Sequence, residues 1–190
     1  MKIKILLPLT AAGVMLISGC GTNAHYIQSG GHESVVSVNQ INIQDFIAAA
    51  NAATSDLLAS GALDRVSNPP AVLAMSRIVN NTSQQIDTDL LTKKIRVALL
   101  QSGKAVTTTT FGLGGPEDPL AQNVQQQEGK PTQLPDFTLS GKIIETFVKA
   151  GDTKQSTYSF QLSLTDKRGL AVWEGDKDIT KQGTRSGVGF

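Results

Sequence analysis

Apolar residues recur along this chain in three rhythms, and each predicts a different element. Between Ile41 and Leu63, the residues Ile43, Ile47, Ala50, Thr54, Leu57 and Leu58 fall three and four apart, with Phe46 and Ala53 beside them. That spacing predicts an amphipathic helix packed by one face on a sheet. Asp45 falls in its first turn, where negative charge suits the helix dipole, and Gly61 is placed for the C-cap. Leu91, Ile95, Ala98 and Leu99, with Leu90 at their edge, repeat the rhythm. They predict a second helix from Asp87 to Ser102, capped by Asp87 or Thr88 and closed by Gly103. Ala71 to Met75 is continuously apolar, between the break Ser67-Asn68-Pro69-Pro70 and the turn-forming Asn80-Asn81-Thr82-Ser83. A short run bounded in this way predicts a strand buried on both faces at the centre of a sheet. In the last third the rhythm is strict alternation. Phe137, Leu139, Gly141 and Ile143 interleave with Thr138, Ser140 and Lys142, and Tyr158, Phe160, Leu162 and Leu164 interleave with Ser159, Gln161, Ser163 and Thr165. Both predict half-buried strands. Asp166-Lys167-Arg168-Gly169 reads as a hairpin turn into a strand from Leu170 to Ile179, with glycine supplying the left-handed residue.

The remaining stretches lack such rhythm. Gly21 to Val38 is polar and rich in Gly, Ser and Asn, which predicts a flexible tether. Ala105 to Phe111 is a threonine-rich candidate strand. Pro116 to Pro135 is polar and reads as a long loop with room for one short helix, Leu120 to Glu128. Thr180 to Phe190 shows no clear element. The whole predicts one α/β (α+β) domain, with helices on a mainly antiparallel or mixed sheet of about four to five strands.

Charge narrows the partners. With 17 basic and 16 acidic residues, no basic patch of the kind that binds nucleic acid stands out. Lys93, Lys94 and Arg96 read as a solvated face on the C-terminal half of the second helix, where positive charge is favourable. The chain has a single cysteine, Cys20, so no disulfide forms within it and the domain holds by packing alone.

That cysteine has a special setting. Lys2 and Lys4 precede an apolar run from Ile5 to Leu16, and Ile17-Ser18-Gly19 places small residues directly before Cys20. The run is shorter than the roughly 20 residues a membrane span needs, and it fits the apolar core of a secretory signal. Leu16-Ile17-Ser18-Gly19-Cys20 resembles the bacterial lipobox. The resemblance implies cleavage before Cys20, a diacylglycerol on its thiol and a fatty-acyl (palmitate) chain on its amino group. More than one chain is what stable anchoring takes. The expected organisation is a signal peptide over residues 1–19, a lipid-anchored tether over 20–40 and a globular domain over 41–190.

Catalytic chemistry finds little support. The only histidines, His25 and His32, lie in the tether, so no Ser-His or Cys-His pair and no zinc cluster is expected in the domain. Gly112-Leu113-Gly114-Gly115 follows a strand as a phosphate loop does, yet Pro116-Glu117-Asp118-Pro119 follows in place of a helix N-terminus. Glu117, Asp118, Asp152, Asp166, Glu174, Asp176 and Asp178 read as solvated acids, mostly in turns and at helix starts. The expectation is a non-catalytic lipoprotein that works by binding, without metal, cofactor or nucleic acid.

Several of these pieces together resemble the LpoB family of outer-membrane lipoproteins. They are the strand and turn Val72 to Thr82, the helix Leu90 to Leu100 followed by Ser102-Gly103-Lys104, the strand Phe137 to Ile143, and the hairpin Tyr158 to Lys177 with Val172-Trp173-Glu174-Gly175. The resemblance implies a sheet with helices packed on it, docked as a monomer on the accessory domain of a bifunctional class A penicillin-binding protein. It implies that docking stimulates peptidoglycan synthesis from the periplasmic face of the outer membrane. Gly21 after the cysteine is similar to signals that send lipoproteins to that membrane. Two features depart from the family: no proline lies between Cys20 and Ser67, and no apolar helix is evident between Gly112 and Pro135. Fully extended, the tether reaches about 70 Å, and its average span is about 25 Å. The alternative reading is a structural or assembly lipoprotein of a flagellar or secretion machine.

Overall fold

The computed structural model describes residues 24–108 and 134–184. Helix α1 (Ile43–Ala59) buries Phe46, Ala49, Ala50, Thr54 and Leu57. This stripe is rotated from the expected one. Ile43 and Ile47 fall at its margin, because the small Ala49-Ala50 pair is what lies closest to the core. Gly61 (φ 66°) turns the chain into the 3₁₀ segment Ala62–Arg65. Strand β1 (Ala71–Asn81) leads to α2 (Asp89–Gln101), closed by Gly103 at φ 70°. A short β2 (Ala105–Thr107) follows, then β3 (Phe137–Ala150), β4 (Thr153–Asp166) and β5 (Ala171–Thr184).

The strands form one mixed sheet in the order β2-β1-β3-β4-β5. β1 pairs in parallel with β2 and β3, while β3, β4 and β5 form an antiparallel meander. The apolar run of β1 lies between two neighbours, and Ala71 to Met75 are all buried. Both helices cover one face, α2 over β1 and β2 and α1 over β5. Leu73, Met75, Leu139, Ile143, Tyr158, Phe160, Leu164 and Trp173 meet Phe46, Leu57, Leu91, Ile95 and Leu99 there.

Four expectations need correction. The stretch Thr180 to Thr184 is strand, not an irregular tail, and Lys181 within it is buried. Its Lys-Gln-Gly composition hides the alternation, because its inward residue is charged. Asn80 and Asn81 are strand as well, and the turn begins at Thr82. Glu174, Asp176 and Asp178 lie on β5, not in turns. They alternate with Trp173, Gly175, Lys177 and Ile179 and so share one face. Finally, β3 and β4 run on to a tight turn at Gly151 (φ 57°), past the alternating segments read from the sequence. The glycine-rich stretch 112–115 and the candidate helix 120–128 lie outside the described residues, as do residues 109–111 of the candidate strand.

Of the segment read as tether, residues 24–40 are mostly exposed. Residues 28–34 nevertheless make two successive turns, with Gly31 N donating to Gln28 O (2.9 Å) and Ser34 N to Gly31 O (3.0 Å).

Candidate docking surface

Among the described residues, no helix covers the second face of the sheet; a bulge and two crowded glycines lie along it. A bulge in β1 between Met75 and Ile78 adds one residue against β3 and brings Ser76 and Arg77 together at a groove, as bulges commonly do. Opposite the bulge, Gly141 has no room for a side chain: a Cβ would sit 2.5 Å from the Gln161 carbonyl oxygen and from Leu162 Cδ2. Gly175 is likewise filled, by the ring of Trp173. Gly141, Leu162 and Gly175 are register partners across β3, β4 and β5. Over this row the open face forms a shallow groove of ≈ 750 Å³.

Its lining is polar, and its charges are sorted. Arg77 and Lys142 stand on β1 and β3, Ser140, Gln161 and Ser163 run across the middle, and Glu174 and Asp176 stand on β5. Ser163 Oγ donates to Glu174 Oε1 (3.1 Å), and Ser159 Oγ donates to Asp178. Among the described residues, none of these charged side chains enters an ion pair. The described lining consists of hydroxyls, amides, glycines, apolar side chains and charges without ion-pair partners, and it holds no histidine or cysteine.

A second polar cluster lies where the chain enters the fold. Lys181 Nζ is 2.5 Å from Asp45 Oδ2, with the two side chains 7% and 6% exposed. It also donates to Gln40 O and Asn42 Oδ1, both at 2.6 Å, and lies 5.4 Å from the centre of the Tyr158 ring. Asp45 accepts from Asn42 N (2.7 Å), which starts α1. Beside it, Gln84 Oε1 accepts from Ile41 N (2.8 Å) and Gln84 Nε2 donates to Tyr158 Oη (2.8 Å). Tyr158 Oη in turn donates to Glu145 Oε1 (3.2 Å), whose other oxygen accepts from Ser83 N (2.9 Å) and Ser83 Oγ (2.6 Å). Partial burial pushes the Glu145 carboxyl up. The bonds from Ser83, Tyr158 and Gln84 outweigh that and hold it below the ordinary carboxylate value. Tyr158 moves up, chiefly through burial. The charged residues that organise this cluster were not legible as buried, since nothing local marks a lysine as the partner of an aspartate 136 positions away.

The residues singled out in the sequence are scattered. Cys20 lies outside the described residues. His25 and His32 are exposed, and no group of His, Cys, Asp and Glu suited to a metal occurs among the described residues. Asn80 and Thr82 serve a turn: Asn80 Oδ1 accepts from Thr82 N (3.0 Å), and its amide donates to Gln84 O (2.7 Å). Trp173 packs in the core and donates from Nε1 to Asp56 (2.9 Å). Arg96 joins α2 to β2 through Thr107 Oγ1 (2.9 Å).

A family model described as peptidoglycan-synthase activator LpoB matches residues 45–179. The chain belongs to the LpoB family. The match takes in both faces of the sheet, and Lys181 and the entry segment up to Asn42 lie just beyond it. Among solved structures, the LpoB C-terminal domain from Salmonella enterica is 17% identical, over 71% of this chain and 98% of that one, with a TM-score of 0.45. The LpoB C-terminal domain from Escherichia coli is 15% identical, over 69% and 97%, at 0.42. The lipoprotein GNA1162 from Neisseria meningitidis is 15% identical, over 63% and 90%, at 0.40. No curated protein matches the chain.

Proposed function

We propose that this LpoB-family chain binds a bifunctional class A penicillin-binding protein and stimulates its peptidoglycan synthesis, and that it is not itself an enzyme. The observation that carries the reading is the family match over residues 45–179. The polar, charge-sorted groove on the uncovered sheet face supports a binding role. In this reading the signal peptide is residues 1–19, acylated Cys20 holds the chain in the outer membrane at its periplasmic face, and residues 20–40 form the tether to a domain over 41–190. No helix among the described residues is long and apolar enough to cross a membrane. The turns at residues 28–34 take up chain length, so the reach is shorter than that of an extended tether. The synthase, or the wall between the membranes, then comes close to the anchor.

The test adds the mature chain, with Cys20→Ser in place of lipid, to the purified class A synthase of the same cell and follows lipid II polymerisation. A rise in rate with direct binding is expected. Neither binding nor a change in rate overturns the reading. Labelled palmitate should enter the wild-type protein in cells and not the Cys20→Ser variant.

A further inference from the structure

Exposed apolar side chains gather at the end of the domain where the chain enters it. Tyr26, Val35, Val36, Phe147 and Val148 are each more than half exposed, and Ile27 is exposed beside them. Strand register explains why residues so distant in sequence meet there. Phe147 on β3 is the partner of Ser156 on β4, and Ser156 is the partner of Lys181 on β5, which holds Gln40 and Asn42. Two residues further out, Lys149, Lys154 and Gly183 are partners, and a Cβ on Gly183 would lie 2.6 Å from Val38 Cγ2. On the neighbouring helix, Gln44 Nε2 donates to Val35 O (3.5 Å), and a Cβ on Gly30 would lie 3.0 Å from Ile47 Cδ1. The entry segment thus touches the first turns of α1 and the end of β5, and Tyr26 and Ile27 directly precede its turns. On the other side, β1 pairs with β3 only as far as Ile144. The β3–β4 hairpin runs on past it, and residues 146–152 are exposed throughout. Phe147 and Val148 point to opposite faces of this arm, so neither face is wholly polar.

We propose that this end of the domain lies on the phospholipid bilayer that holds Cys20, with these six apolar side chains set among the headgroups and the upper acyl chains. The proposal rests on the lipid anchor at Cys20 and not on the synthase. Chain length carries it. Eight residue steps separate Cys20 from Gln28, where the turns begin. They span at most about 28 Å and about 16 Å on average. The anchor therefore keeps the apolar end within a short reach of the bilayer, whatever path the chain takes between them. Moving apolar surface out of water is favourable. At such range even a weak attachment is populated, because the tether makes the second contact intramolecular. Charge is not what drives it. Among the described residues at this end, Lys149 and Lys154 are balanced by Asp152 at the turn and Glu33 in the entry segment. The lysine stems can lie along apolar surface while their ammonium groups stay in water.

This contact leaves the polar groove clear. Gly141, in the row that underlies the groove, is six residues along β3 from Phe147, about 20 Å at the rise of a strand. The opposite end of the domain supplies a comparison. Phe137 pairs with Asp166 there, at the turn into β5 that carries Leu170. Leu170 is as exposed as Phe147, 52% in each case. It sits at the far end of β4, about 40 Å along the strand from the hairpin turn at Gly151. Exposure alone would give both ends the same behaviour, whereas the proposal reserves the bilayer for one of them.

The test uses the mature Cys20→Ser chain, which has neither lipid nor thiol, so that a polarity-sensitive fluorophore can be placed on a single new cysteine. Ala150→Cys puts it at the hairpin end, and Leu170→Cys puts it at the opposite end. Each is titrated with phosphatidylcholine vesicles, with and without phosphatidylglycerol. The patch should bind less tightly than one myristoyl chain, whose association constant is about 10⁴ M⁻¹, so half-saturation is expected above about 0.1 mM lipid. The Ala150 probe should brighten and shift to the blue on both kinds of vesicle, and the Leu170 probe should not. The response should persist in about 0.5 M salt, where charge is screened. Phe147→Ser with Val148→Ser, and separately Val35→Ser with Val36→Ser, should each weaken binding by roughly threefold or more. Circular dichroism of each variant should match that of the parent chain, since all four positions are exposed. A silent Ala150 probe overturns the proposal, as do equal responses at both ends, a response lost in salt, or binding indifferent to either serine pair. Palmitate labelling of Cys20 reads the anchor by itself, so failure of the anchor and failure of this surface are told apart.

Discussion

The two faces of the sheet are made by alternate residues of the same strands, yet they obey different chemistry. On the helix-covered face, β4 presents Tyr158, Phe160, Leu162 and Leu164, all buried. On the uncovered face, the intervening Ser159 and Ser163 donate to Asp178 and Glu174, and Gln161 lines the groove between them. On the covered face the fully buried charges, Lys181 and Asp45, are paired with each other. On the uncovered face, Arg77, Lys142, Glu174, Asp176 and Asp178 enter no ion pair among the described residues. The difference separates what the residues are for: the first set determines stability, and the second set is available for recognition.

The sharpest way to break this division is to leave one buried charge alone. Asp45→Ala or Lys181→Met should cost about 3–5 kcal/mol in denaturant unfolding, because the survivor stays buried without its partner. Asp45→Leu combined with Lys181→Met should recover most of that loss. Next comes a test of adjacent residues. Ile143→Ala, at a fully buried site, should cost about 2–5 kcal/mol. Lys142→Ala beside it, at an exposed site, should stay within about 0.5 kcal/mol. Gly141→Ala should cost about 1–3 kcal/mol, since its methyl group meets the Gln161 carbonyl oxygen and Leu162.

The smallest effect is on pH. Glu145, Asp136 and Asp166 all have carboxyls held below their ordinary values in the fold. A depressed carboxylate pKa adds stability above the unfolded value, and that stability is lost as pH falls through the folded one. Unfolding stability should therefore decline below about pH 4.5, the ordinary value for Glu145. Glu145→Gln should shallow that decline. Tyr158 acts at the other end: its raised pKa gives stability below about pH 10 that is lost at higher pH.

What could be read from the sequence follows from the same contrast. The helices, the buried run Ala71 to Met75 and the alternating β3 and β4 segments were legible because apolar side chains mark one face by period alone. Gly61, Gly103 and Gly169 were legible because their left-handed turns need glycine. Where burial is polar, period fails. Lys181 disguised the end of β5, and Asp45 passed as a dipole-suited acid when it is also half of a buried ion pair. The acids of β5 lay within the expected strand Leu170 to Ile179, yet their common face went unread, because they were taken singly as solvated acids. The row that joins Gly141 to Gly175 became visible only once register was known, because strand pairing is a long-range property of the chain.

The fastening of the entry segment also governs how the domain bears mechanical load. Traction on the N-terminal chain reaches Gln40, Ile41 and Asn42, and there it divides. Lys181 carries part of it into β5, and Gln84 carries part into the loop after β1 and, through Tyr158, into β4. These bonds lie N-terminal to α1, so traction meets them before it reaches the first turn of the helix. A pull that would otherwise unwind α1 from its first turn is spread across the sheet, and the domain resists it as a block.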